Sequence, residues 1–221
     1  MQKFATPAPI TAVVDIPAGR VQLFAADRAD TTVEVLPANP AKNRDTKAVE
    51  QTTVTYADGV LRITTSAPGN QLFGASGSLQ VTVQLPAGSR VEGKAAGAEL
   101  RGVGRLGDVA FEGAYREIKI DEAASVRLVA SDGDVEVGRL GGSAEISTAR
   151  GDIRINEAGR GTVVLRTQDG DISVAAAAGV SAALDAGTDY GRVNNALKND
   201  GSTELDIRAT TSRGDITARS L

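Results

Sequence analysis

A phrase that returns with variations constrains this chain more than any other feature: a short strand, Ser or Thr, Gly-Asp, then a second strand. It reads Ser131-Asp132-Gly133-Asp134-Val135, Thr148-Ala149-Arg150-Gly151-Asp152-Ile153, Thr167-Gln168-Asp169-Gly170-Asp171-Ile172 and Thr211-Ser212-Arg213-Gly214-Asp215-Ile216. A degenerate copy, Thr188-Asp189-Tyr190-Gly191-Arg192-Val193, sits between the last two. Aligned on the glycine, apolar residues fall into columns on both sides of it. One column holds Val91, Val109, Val126, Ala144, Val163, Leu184 and Ile207; another holds Leu100, Ile118, Val135, Ile153, Ile172, Val193 and Ile216. The alternation has period two, as strands require. A unit of about 17 to 23 residues cannot close a core alone, but stacked units bury a continuous one.

The fold expected is therefore all-β: a parallel β-helix, or β-solenoid, of about seven rungs over residues 86–221. Residues 1–85 are expected to form a strand-rich region that caps it. A meander of antiparallel hairpins would not require like residues to recur in register, and a left-handed hexapeptide coil would need a six-residue motif that is not sustained. The crossover preference of parallel strands favours a right-handed coil. Upstream, residues 10–16, 20–24 and 31–36 read as strands, and Ala57-Asp58-Gly59 as a hairpin turn, because Asp-Gly tolerates positive φ. Residues 38–46 read as a polar surface loop, and the Gly, Ser and Pro of residues 66–78 as a second loop. Ile16-Pro17-Ala18-Gly19 is echoed by Leu85-Pro86-Ala87-Gly88, which marks either two similar turns or a diverged first rung.

Composition narrows the function classes. The net charge of −4 argues against non-specific nucleic-acid binding, which needs a basic surface. Without cysteine or histidine the chain has no thiolate, no imidazole base and no imidazole metal ligand. No stretch approaches the ~20 apolar residues of a membrane-spanning helix. The first residues lack the apolar core of a signal peptide, so a cytoplasmic location is expected, with a surface location requiring a non-classical route or a trimmed chain.

The Gly-Asp-Ile/Val phrases, the Pro-Ala-Gly turns and the strand-rich lead-in resemble a bacterial domain-of-unknown-function family described as a putative adhesin with β-strand repeats. The resemblance covers nearly the whole chain. It implies a β-helix-like fold and a surface adhesin as one functional alternative, and it brings no catalytic residues with it.

The position after the glycine could carry chemistry, since it reads Glu99, Glu117, Asp134, Asp152, Asp171, Arg192 and Asp215. Stacked carboxylates repel unless compensated. Turn N–H groups, or the cations Arg101, Lys119 and Arg154 two residues on, would supply that compensation, with Arg192 interrupting the ladder. Calcium would suit a row of oxygen ligands, but no Asp-rich calcium loop is present. A carbohydrate-active enzyme would need a cleft and aromatic platforms, whereas Tyr115 and Tyr190 stand apart and aromatics make up 3% of the chain. The expectation is a non-enzymatic scaffold with no cofactor and no metal. Its last repeat would leave a bare edge that pairs with a protein partner or with itself, as a homodimer or a filament. Arg192, Arg208, Arg213, Asp215 and Arg219 are the candidate interaction residues.

Overall fold

Alternating side chains sort into an inner and an outer set along the strands of the described residues. In the long strand β7 (Arg90–Leu140), Val91, Val109, Phe111, Ile118, Ile120, Val126 and Leu128 are buried, while Glu92, Glu112, Glu117 and Arg127 beside them are exposed. The structure is a computed structural model and describes residues 1–66 and 77–221. Most of the second expected loop, residues 67–76, lies outside the described residues.

Before β7 come β1 (Gln2–Ala5), β2 (Thr11–Ala26), β3 (Asp30–Pro37), the helix α1 (Asn43–Glu50), β4 (Thr52–Ala57), β5 (Val60–Thr65) and β6 (Leu79–Pro86). After it come β8 (Ala144–Arg150), β9 (Ile153–Ala158), β10 (Gly161–Asp169), β11 (Ile172–Ala176), β12 (Ala182–Tyr190), β13 (Val193–Ala196), β14 (Leu205–Arg213) and β15 (Ile216–Ser220). The fifteen strands join one mostly parallel sheet, and α1 lies outside it. One wall runs β5, β2, β7, β8, β10, β14, β12; the other runs β6, β2, β7, β9, β11, β15, β13. A row here means one strand from each wall.

The columns of the sequence are the columns of the pairing. Val126 pairs with Ala144, Ala144 with Val163, and Val163 with Ile207. On the other wall Val135 pairs with Ile153, Ile153 with Ile172, and Ile172 with Ile216. Large and small residues compensate between rows, as dense packing demands. The buried ring of Phe111 lies where Gly93 leaves space; a Cβ on Gly93 would stand 2.3 Å from it.

The N-terminal strands join the same sheet. β2 runs parallel to β7 from Thr11 opposite Arg90 to Ala25 opposite Gly104. Its register is not the one the Pro-Ala-Gly echo suggests, because Val21 pairs with Leu100 and not with Val91. The Asp58-Gly59 hairpin forms between β4 and β5, with φ of 51° and 75°. The polar segment expected as a surface loop runs instead into α1. Buried Asp45 anchors this helix by accepting the N–H groups of Asn39 (3.2 Å) and Ser78 (3.0 Å), and Ala48 packs on the core. With so few apolar residues the helix has little periodic signal to read.

The order of the last repeats differs from the order in sequence. β10 pairs with β14 and β14 with β12; β11 pairs with β15 and β15 with β13. The last repeat therefore lies between the two before it, with a row on each side. The expected bare edge at Gly214-Asp215 is corrected: the end row is β12–β13. Among the described residues, no helix is long and apolar enough to cross a membrane.

Candidate interaction surface

Each Gly-Asp carboxylate serves the row stacked on it. Asp134 accepts the N–H of Asp152 (2.8 Å), Asp152 that of Asp171 (2.8 Å), and Asp171 that of Asp215 (2.7 Å). Asp215 in turn accepts the N–H of Arg192 (2.9 Å). The carboxylates are thus compensated by the next row rather than by their own turn. Threonines tie the rows in the same sense, the upper row again donating: Thr167 donates to the carbonyl of Gly151, Thr211 to that of Gly170, and Thr188 to that of Gly214. Glycine is needed at the bend because the rows touch there. A Cβ on Gly214, at φ 140°, would stand 2.1 Å from the Gly170 carbonyl oxygen.

This ladder gives a physical reason for the order of the rows. Stacked in sequence order, Asp215 would follow Arg192, whose side chain has no acceptor for its N–H. In the observed order every N–H from Asp152 to Arg192 finds a carboxylate, and the residue that serves no further row is the one that is not an aspartate. Arg192 terminates the ladder and does not interrupt it.

Two of the cations expected to neutralise the ladder pair elsewhere. Arg101 binds Asp121 (2.8 Å) and Lys119 binds Glu136 (2.8 Å). The Lys119 ammonium holds the Glu136 carboxyl below its usual range, against the opposing effect of burial. On the outer face of the first wall a groove of about 890 Å³ is crossed by similar pairs: Arg90–Asp108, Lys94–Glu112 and Arg127–Glu145. Hydrogen bonds from Arg90 first, then Ser125, lower the Asp108 pKa.

The candidate residues fall in two places. Arg208, Arg213, Asp215 and Arg219 belong to the β14–β15 row, one row in from the end. Arg208 pairs with Asp206 (2.9 Å) and Arg213 with Asp169 of the row below (2.8 Å); Arg219 is exposed, opposite Ala175 and Ala196. Arg192 lies in the end row and makes a loose pair with Asp215 (3.4 Å), its side chain 89% exposed.

The residues that sequence reasoning missed line the end row itself. In the row beneath, Ile207, Ala209 and Ile216 are buried. In the end row Leu184, Ala186 and Leu197 are only partly buried and Val193 is 46% exposed. Asp185, Asp189 and Tyr190 are exposed on β12. Among the described residues no strand pairs with the outer edge of β12 or β13. The segment that follows is pinned back: Lys198 accepts the N–H of Ala182, and Ser181 Oγ accepts that of Asp200 (3.1 Å). The N–H of Ser202 and the Ser181 hydroxyl lower the Asp200 pKa. The signal for this arrangement was present in sequence, in Arg192 at an aspartate position.

A family model described as Toastrack DUF4097 matches residues 13–219. Among solved structures, the chain is similar to a putative adhesin from Parabacteroides merdae ATCC 43184, at 12% identity and a TM-score of 0.46 over 98% of this chain and 94% of that one. A putative cell adhesion protein from Clostridium sporogenes ATCC 15579 matches at 11% identity and a TM-score of 0.38, over 100% and 98% of the two chains. A putative adhesin from Bacteroides fragilis NCTC 9343 matches at 9% and 0.39, over 98% and 95%. No curated protein matches.

Proposed function

The chain belongs to the Toastrack DUF4097 family, and we propose that it acts as a non-enzymatic interaction module: a right-handed β-solenoid that docks a protein partner by strand addition at its β12–β13 end. The observation that carries this reading is the end row, where two strand edges lack neighbours among the described residues and the row's own apolar side chains are incompletely covered. An unpaired strand edge offers N–H and C=O groups in a row, and an added strand satisfies them while covering apolar side chains. A non-enzymatic role is supported by the state of the outer acids. The ladder aspartates accept backbone N–H groups and the groove carboxylates hold arginine or lysine, so these groups are already committed to structure.

A labelled peptide copying the end row, residues 182–198, tests the edge. Titrated with the full chain and followed by fluorescence anisotropy, it is expected to bind saturably. Leu184→Glu, which puts a charge into the open core, is expected to abolish that binding while circular dichroism stays unchanged. Absence of binding to the unaltered chain at concentrations where it is monomeric would remove strand addition as the mode of action.

A further inference from the structure

The end row fits one occupant better than others: the end row of a second copy of this chain. We propose that two copies join β12–β13 end to β12–β13 end across a two-fold axis, making a closed dimer and not a filament. This rests on the reading of that end as a docking face, and it adds the identity of the partner and the register of the contact.

Geometry narrows the occupant. Both walls end in the same row, so a single added strand would cover one edge and leave the other open. The occupant must bring two free edges and its own partly open core. The opposite end of this chain does not match. There β4 and β1 are the outer strands, α1 covers the core, and Phe4 packs against Tyr56 with ring centroids 5.4 Å apart. A head-to-tail filament would press an open apolar end against this closed one. A second β12–β13 end is complementary by construction, and an isologous contact of that kind closes at two copies.

The sequence of the end row then selects the pairing. Head-to-head stacking reverses the sense in which the chain circulates, so the new strand pairs are antiparallel. An axis through the bend at Gly191 exchanges the walls and lays β12 against the second copy's β13. Inward residues must face inward ones, because a one-residue slip turns every side chain over. In the register nearest the bend that meets this condition, Thr188 faces Val193 of the second copy and Leu184 faces its Leu197. The same register sets Asp189 opposite Arg192 of the second copy, twice by symmetry. Those two residues are the exposed, oppositely charged groups flanking the bend, and Asp189 makes no ion pair within its own chain among the described residues. The long Arg192 contact to Asp215 leaves its guanidinium able to turn outward.

Sedimentation velocity on the full chain reads the outcome. The unaltered protein is expected to sediment as a concentration-dependent dimer. Asp189→Arg and Arg192→Asp, each alone, place like charges opposite one another and are expected to weaken the dimer on the order of tenfold or more. The double variant carrying both restores opposite charges and is expected to restore the dimer. Both positions are exposed and the ladder uses only the Arg192 backbone, so monomer folding is expected to survive; circular dichroism checks this for each variant. A monomer at several hundred micromolar, a species growing beyond two copies, or single variants as dimeric as the parent would each overturn the proposal. A monomer that still binds the 182–198 peptide would sink the dimer alone; one that does not would sink the docking edge as well.

Discussion

The two ends of the stack stop by different means. At the β4–β5 end the strand direction reverses, a short helix lies over the core, and two aromatic rings close the gap between the walls. At the other end nothing reverses: β12 runs parallel to β14 and β13 to β15, as interior strands do, yet their own inward side chains are half open. The first end is built from residues foreign to the repeat; the second is a repeat with its serving carboxylate replaced. A stack of like units terminates securely only when something unlike the unit is spent on it, and here that has been done once.

Removing the row that holds the open end should have the largest effect. Deleting residues 205–221 takes away the strands on which both β12 and β13 lie, together with the buried Leu205, Ile207, Ala209, Ile216 and Ala218. The loss is expected to be on the order of 5 kcal/mol or more. Hydrogen exchange should show residues 182–196 unprotected while β8 to β11 stay protected, since neighbouring rows in such stacks unfold in sequence. Retained protection in β12 would show that the end row can stack directly on β10 and β11 once the row between them is gone.

A smaller effect separates the end row from the row beneath within one column. Ile207 is fully buried and its register partner Leu184 partly so. Ile207→Ala is expected to cost about 3 kcal/mol and Leu184→Ala about 1 kcal/mol in urea unfolding of the monomer. Equal costs would mean that the end is as closed as the interior. The smallest contrast lies in the ladder. Asp171→Ala deprives the Asp215 N–H of its acceptor, at a cost of about 1 kcal/mol, whereas Arg192→Ala removes a side chain that offers no acceptor to a further row and pairs only loosely with Asp215, and should stay within about 0.5 kcal/mol. A reversal of that ranking would refute the account of row order given by the ladder.

Much of the fold was legible in the sequence, and for a definite reason. The stack repeats one environment, so Val126, Ala144, Val163 and Ile207 each announce the same column. What was not legible lies where the environment does not repeat. The helix α1 buries only Asp45 and Ala48, too few residues for a period to show. The true order of the last two rows cannot be seen in any apolar column, because Leu184 and Ile207 are equally acceptable neighbours for Val163. A polar position decides it, through hydrogen bonds running from one row to the next. Of the candidate residues, Arg192 was singled out for the right irregularity and assigned the wrong place, while Asp189 and Leu184 looked like ordinary repeat positions.

The inserted last row also has a consequence in time. During synthesis the strands β12 and β13 are made before the row that will hold them. At roughly 5–20 residues per second, the remaining stretch to Leu221 follows on the order of a second later. In that interval the end row has no permanent site, and the top of the half-built stack, β10 and β11, stands exposed to whatever strand arrives first. The carboxylate of Asp171 offers itself to either newcomer. Only the later one, carrying Asp215, can hand the arrangement on to a further row, so the order of assembly is corrected by the completed ladder and not by the order of translation.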